Sequence, residues 1–437
     1  MTQPAEQLAP PDVTEEVRSF YERYPYPRPI DSLDKYRQLW EDDSRRRAEY
    51  HLFWPFRSYS EAPSILIAGC GTSQAAKYAL RWPAAQVTGI DCSATSVRCT
   101  EELKRKHCLS NLQLHQLAIE QVSELGMSFD LIVCTGVLHH LADPDAGLRA
   151  LRDVLNPRGA MHLMVYAPYG RAGIYLLQDF CRRLGIHATD VEIRDLIGAL
   201  SALPPGHPLE NLLREAPDFR EEAALADALL HPQDRAYSVP QLFDFLAAGG
   251  LTFSRWIRQA PYSVRCGAIS KIPQAALISR LSLAEQYAAI ELFRGTMVRH
   301  SLVAYRDDIA SERIGFGGDA WLEYVPIRAS DTVCIQERLP PGASAVLINQ
   351  THSYRDLFLA INRTEKLIFD AVDGKRTIGE IVEATVPPSS SLPATKFEVA
   401  RSFFERLWWH DYVLLSALSE GRPRWAIREN STTDNPV

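Results

Sequence analysis

The chain has 437 residues, 46% hydrophobic and 23% charged, which describes an ordinary globular protein of two or three domains. Its formal net charge of -7, with no dense lysine-arginine block, argues against DNA or RNA as a bulk substrate. No apolar run approaches a bilayer span, and the stretch before Arg18 has neither an apolar core nor a basic lead, so a cytoplasmic site of action is expected.

Residues 1 to about 14 are rich in Pro, Gln and Glu and read as disordered. From Val17 to Ile30 the alternating Pro25, Pro27 and Pro29 argue against helix and predict an extended, rigid arm carrying Tyr21, Tyr24 and Tyr26. Such an arm either pins its aromatics onto the domain or lies as a lid over a ligand. A helix is predicted over Ser32 to Phe53. The stretch from Ser64 to Asp91 then organises the chain. A buried-strand run (Ile65 to Ala68) breaks into Gly69-Cys70-Gly71-Thr72-Ser73, a helical segment follows over Gln74 to Leu80, and a second strand over Gln86 to Ile90 ends on Asp91. That order is the first half of a doubly wound nucleotide-binding sheet. Asp91 is placed to accept hydrogen bonds from two ribose hydroxyls. The third glycine of a dinucleotide fingerprint is absent near Gln74, so a ligand with ribose and adenine but no phosphates fits better.

The stretch resembles motif I of the class I S-adenosylmethionine-dependent methyltransferases, G-x-G-x-G, with Ser73 in place of the last glycine. A second resemblance lies at Ser128 to Leu141, where F-D-L-I-V-C-T-G-V-L-H-H is similar to motif IV of that family and its extension. Between the two, a helix over Ala94 to His107 leads to a third strand over Leu112 to Leu117. After the second, Asp143-Pro144 starts a helix to Leu155, Asn156 to Gly159 forms a turn, and Ala160 to Tyr166 is a fifth strand. The resemblance covers roughly residues 60 to 170. It implies a cofactor site made by Gly69, Cys70, Gly71, Thr72, Asp91, Cys92, Ile119, Glu120, Thr135 and Gly136. In it Ile119 sandwiches adenine, and Glu120 or backbone groups bind the polar edge. Tyr24 and Tyr26 of the arm would close over S-adenosylmethionine, whose product is S-adenosylhomocysteine.

The chain leaves the fifth strand at Ala167 to Tyr175, outside the strand ends where such sheets bind ligands, so Tyr169 and Arg171 are expected to meet the acceptor. Arg171 has two readings: a bidentate partner for an acceptor carboxylate or phosphate, or a partner for the acidic insertion that follows. Two mostly helical insertions, about 171–238 and 267–296, are expected to cap the acceptor side. Between them Ser238-Val239-Pro240 opens a helix that Gly249-Gly250 stops, followed by a sixth strand over Leu251 to Arg258. Met297 to Tyr305 is expected to be the seventh, antiparallel strand, with Arg299 and His300 as solvated sheet residues. His139 and His140 are the candidate general bases, since imidazole titrates near neutrality. Their other reading is structural, ordering the cofactor loop and capping the next helix.

The eight cysteines contain no C-x-x-C pair and no His-acid spacing suggests a metal site, so no metal is expected. From about Asp307 glycines and short strand-like runs lead to two helices joined by an Asp373-Gly374 turn, with a T-x-x-E box at Thr377 and Glu380. A third helix follows over Phe397 to Leu407, and a strand or hairpin around Trp408 to Leu414. This part resembles small PqqD-like winged-helix domains, which bind peptides, and the winged-helix tails of some oxygenases, which dimerise.

The expected architecture is α/β: an arm and pre-core helix over 1–59, and a doubly wound seven-stranded methyltransferase sheet with cap insertions over 60–306. A small α+β winged-helix-like domain follows over 307–424, with a flexible tail over 425–437. The expected activity is methyl transfer to oxygen or nitrogen of a small or natural-product-like acceptor, with no nucleic-acid or membrane partner. A peptide or carrier-bound acceptor presented by the C-terminal domain is the alternative, with a homodimer through that domain as a possible assembly. A non-catalytic cofactor-binding regulator or scaffold is the reading from another class.

Overall fold

The apolar run Ile65 to Ala68 is buried on both faces, the pattern of a central parallel strand covered by helices on either side. In the computed structural model, which describes residues 13–215, 221–310, 312–385 and 393–418, this run is β1 (Ser64–Ala68) of a seven-stranded sheet. The others are β2 (Gln86–Asp91), β3 (Leu112–Gln116), β4 (Phe129–Thr135), β5 (Leu155–Tyr166), β6 (Leu251–Trp256) and β7 (Arg299–Arg306). Their order across the sheet is β3-β2-β1-β4-β5-β7-β6, and β7 runs antiparallel to both neighbours. β1 and β4 sit side by side with helices leaving to opposite faces, so their C-terminal ends form the crevice where such sheets bind ligands.

Four local expectations change. Val13–Arg23 is a helix, because the prolines begin only at Pro25 and Val17, Phe20 and Tyr24 share its buried face. The helix expected over Ser32 to Phe53 is two, Asp34–Leu39 and Asp43–Phe53; Asp42 caps the second by accepting a hydrogen bond from Ser44 N–H. Asn156 to Gly159 lies within β5, beside a register irregularity between Phe129 and Leu131 on the neighbouring strand. His300 is fully buried rather than solvated, because β7 is an interior strand. Its Nε2 lies 3.0 Å from Glu291 Oε1 and its Nδ1 2.7 Å from the Tyr262 hydroxyl.

The first insertion carries helices Ala172–Leu184, Asp190–Leu200, Glu210–Glu215 and Glu222–Leu229, packed with Phe20 and Tyr24 of the arm around a separate apolar cluster. The C-terminal residues form a separate small domain. It holds a β8–β12 pair (Val325–Arg328 and Val413–Ser416), the sheet β9-β10-β11 (Thr332–Ile335, Ala345–Asn349, Phe358–Ile361), and helices Arg363–Asp370, Ile378–Thr385 and Pro393–Trp409. β11 has no counterpart in the sequence reading. The box at Thr377 and Glu380 forms as read, with reciprocal backbone contacts of 2.9 and 3.2 Å. The tail beyond residue 418 lies outside the described residues.

Among the contacts that join this domain to the core, Asp411 is buried and gathers several donors. It accepts from Gln259 N–H (2.8 Å), Ala260 N–H (3.0 Å), Arg255 Nη2 (3.4 Å) and His352 Nε2 (3.2 Å). These donors hold its carboxyl below the usual range despite the opposing effect of burial, which is the largest influence on it.

Candidate functional site

A cavity of about 1550 Å³ opens at the C-terminal ends of β1, β4 and β5 and runs to the C-terminal domain. Its first end is the glycine loop. Gly69 and Gly71 have φ of +72° and +52°, where a side chain is strained, and a Cβ at Gly69 would lie 2.3 Å from Val137 Cγ2. Asp91, at the end of β2, accepts Gly71 N–H at Oδ2 (2.8 Å) and Ser93 N–H at Oδ1 (2.9 Å). A carboxylate offers about four lone-pair directions, so both oxygens keep one for a ligand. Burial, only partly offset by those two bonds, pushes the Asp91 carboxyl up to about 6.

Cys70, Cys92, Ile119, Glu120, Thr135 and Gly136 line the same end. Ile119 is buried as an apolar wall and Glu120 is exposed. The Thr135 hydroxyl accepts from Gln74 Nε2 (2.8 Å). Thr72 is buried beneath the arm, its hydroxyl donating to the Pro27 carbonyl (2.7 Å). Tyr26 and Pro27 lie over the loop, with Tyr26 O 3.4 Å from where a Cβ on Gly71 would sit. Glu22 anchors the arm by accepting from Ala94 N–H (2.5 Å), Thr95 N–H (3.2 Å) and the Thr95 hydroxyl. Tyr24 is turned away, its hydroxyl donating toward Ala188 O and Asp190 Oδ1 (2.9 Å each); Tyr21 faces the cavity in its place.

The far end is polar and buried. The Tyr21 hydroxyl donates to Asp227 Oδ1 (2.9 Å), and the Tyr166 hydroxyl lies 3.4 Å from Oδ2. Burial and the Asp227 charge push both phenols well above their ordinary range. The His140 ring lies 3.9 Å from that of His231, tilted by 34°, and its Nδ1 lies 2.6 Å from the Gln233 carbonyl. That carbonyl can only accept, so Nδ1 carries a proton, and in the neutral ring Nε2 holds the lone pair. His139 is fully buried against the Tyr166 ring (4.0 Å) and does not line the cavity. Burial holds both His139 and His231 well below the ordinary imidazole range.

Arg171 lines the cavity and is paired with the insertion that follows. Its Nη2 donates to Asp234 Oδ2 (2.9 Å), its guanidinium lies 3.5 Å from the Tyr166 ring centroid, and it is 6% exposed. Tyr169 is 42% exposed at the cavity rim. Asp227, His231 and Asp234 escaped the sequence reading because Asp227 lies 206 residues from Tyr21 and 61 from Tyr166, and Asp234 lies 63 from Arg171. The stretch His231 to Pro240 is rich in polar and aromatic residues, and Asp227 stands four residues before His231; these were the signals there. Nor did linear spacing reveal that His140, Asp227 and His231 bring one ligand atom each within 4.8 Å of one another. The expectation of no metal grouping is corrected on that point.

The strand order, the antiparallel β7, the glycine loop and the acid after β2 are those of the class I methyltransferase fold. Residues 66–161 match the family model described as a methyltransferase domain. The chain is 34% identical over 256 residues to an uncharacterized protein of Synechococcus sp., covering 56% of this chain and 60% of that one. It is 31% identical over 145 residues to the trans-aconitate 2-methyltransferase of Deinococcus radiodurans, covering 33% of this chain and 52% of that enzyme. The chain thus spans about half to three fifths of the length of these relatives. The structure of PKMT2 from Rickettsia typhi in complex with AdoHcy superposes with a TM-score of 0.61 at 14% identity. The match covers 86% of this chain and 75% of that one, a likeness of fold. Among the described residues no helix is long and apolar enough to cross a membrane.

Proposed function

We propose that this protein transfers the methyl group of S-adenosylmethionine to oxygen or nitrogen of a small-molecule acceptor. The observation that carries the reading is Asp91 at the end of β2, with a lone pair left on each oxygen and an apolar wall at Ile119 beside it. Those residues fit a ribose diol and an adenine ring, and the glycine loop lets a ligand backbone approach closely. When bound, the cofactor supplies a methyl activated by its sulfonium. The protein aligns and desolvates the acceptor. Thr135 and Gly136 flank the passage toward the far end, and His140 Nε2 is the lone pair there that can receive an acceptor proton.

The cavity exceeds the roughly 300–1,000 Å³ usual for one small-ligand pocket, so it has room for cofactor and acceptor together. That supports an enzyme over a non-catalytic cofactor-binding protein. Asn349, His352 and Tyr354 of the C-terminal domain line the cavity, which favours a part for that domain in acceptor choice. An acceptor carried on a peptide, in the manner of PqqD-like domains, is the second reading that this observation supports.

Calorimetric titration with S-adenosylmethionine and S-adenosylhomocysteine tests the cofactor, and an acceptor screen that reads S-adenosylhomocysteine formation tests the reaction. Micromolar binding followed by turnover with a small acceptor is the expected result. Absence of binding to the intact protein would reduce the reading to its fold.

A further inference from the structure

We propose that His140, Asp227 and His231 form a site for one first-row divalent metal ion, of the zinc class, at the acceptor end of the cavity. One ligand atom from each residue already lies within 4.8 Å of the other two. Bonds of about 2.0–2.2 Å around a tetrahedral ion put ligand atoms roughly 3–3.6 Å apart, so capture needs side-chain movements on the order of 1 Å.

Several features separate this cluster from ordinary packing. Nε2 of His140 and Nε2 of His231 are buried and have no hydrogen-bond partner among the described residues. A buried imidazole nitrogen without a partner is costly, and here two of them belong to rings whose centroids lie 3.9 Å apart. His140 is oriented as metal-bound histidines are, its Nδ1–H donated to the Gln233 carbonyl so that Nε2 presents a lone pair. The carboxylate of Asp227 accepts from Tyr21 and Tyr166 and still has lone pairs to share. Arg171 would repel a nearby cation, but Asp234 pairs with it at 2.9 Å. The one adjustment falls on His231, whose Nδ1 now accepts Gln233 N–H at 3.0 Å. Ligation through Nε2 moves its proton to Nδ1 and gives up that contact.

Two imidazoles and one carboxylate suit zinc, iron(II) or manganese(II) rather than a hard calcium or magnesium ion. Three protein ligands leave a fourth position open, and His140 and Asp227 both line the cavity, so that position faces the acceptor. The role of the ion, though not the site, rests on the methyltransferase reading. An acceptor hydroxyl bound there would ionise near neutral pH and pass its proton to solvent, with His140 then a ligand instead of a base.

The test uses the full chain, stripped by dialysis against a chelator and reloaded with zinc or cobalt(II). The expected result is one retained ion per chain. Its cobalt spectrum should show d–d bands of nitrogen and oxygen ligands without a sulfur-to-metal charge-transfer band. Asp227→Asn and His231→Gln should each weaken retention by at least about a hundredfold while the far-ultraviolet circular dichroism is unchanged. No retained ion, a thiolate band from one of the eight cysteines, or equal retention in both variants would overturn the site. Should either variant unfold, the stoichiometry and cobalt spectrum of the unaltered chain decide. Cofactor titration is a separate readout, so failure of the metal site and failure of the methyltransferase reading remain distinguishable.

Discussion

At one end of the cavity, Gly69 to Gly71, Asp91, Ile119, Glu120, Thr135 and Gly136 arrive on successive strand ends of a single stretch of chain. At the other, Tyr21 comes from the arm, His140 from the loop after β4, Tyr166 from β5, and Asp227 and His231 from the cap. The first end is assembled by the parallel sheet itself, whose register brings the C-terminal ends together. The second is assembled by docking the arm and an insertion onto that sheet. Hence the first end should tolerate changes in the cap, while the second depends on every piece that is packed against it. The C-terminal domain repeats the second pattern, since Asp411 fastens it through donors contributed by the core.

The largest effect is expected at that fastening. Asp411→Ala leaves Arg255 buried without its carboxylate and strips acceptors from two backbone N–H groups. A loss of about 3–5 kcal/mol is predicted, read as a fall in thermal midpoint. An unchanged midpoint would show that the remaining contacts, among them Arg265–Glu405, Arg294–Asp356 and Arg45–Asp331, hold the domain without Asp411. Next comes Asp91→Ala, which removes the acceptor for two hydroxyls. At about 1.5 kcal/mol or more for each bond to a charged group, S-adenosylhomocysteine affinity should fall on the order of a hundredfold with no large change in fold. Retention of affinity would move the ribose away from β2.

The pH dependence of the same carboxylate sharpens the comparison. Its pKa in the folded protein is raised to about 6, so the ionised form costs stability. This contribution therefore improves as pH falls through 6 toward the unfolded value near about 4. Ligand affinity runs the other way, because the ribose hydroxyls need an ionised acceptor. Titration at about pH 5 should give affinity roughly tenfold weaker than at about pH 7.5 in the intact protein, with no such difference in Asp91→Ala. The smallest effect is expected for Thr72→Val, which releases the Pro27 carbonyl from its donor. A loss of about 1 kcal/mol and faster proteolysis within the arm are predicted. Unaltered cleavage would mean that the contacts of Tyr21, Glu22 and Tyr24 hold the arm without Thr72.

By itself the sequence determined the sheet and the first end of the cavity. β1, β2 and β4 announce themselves as apolar runs that end in glycine turns or an acid, because strands buried on both faces leave little freedom of composition. The helix at Val13–Arg23 was also legible from the spacing of Val17, Phe20 and Tyr24, but the prolines beginning at Pro25 masked it. Only the tertiary structure decided that Tyr21 rather than Tyr24 faces the cavity, that Arg171 pairs with Asp234, that His300 is interior, and that His140 meets Asp227 and His231. Those contacts join residues far apart in the chain, across elements whose packing angles no local pattern encodes. Periodicity reports which face of an element is buried, but not which distant side chain it will meet there.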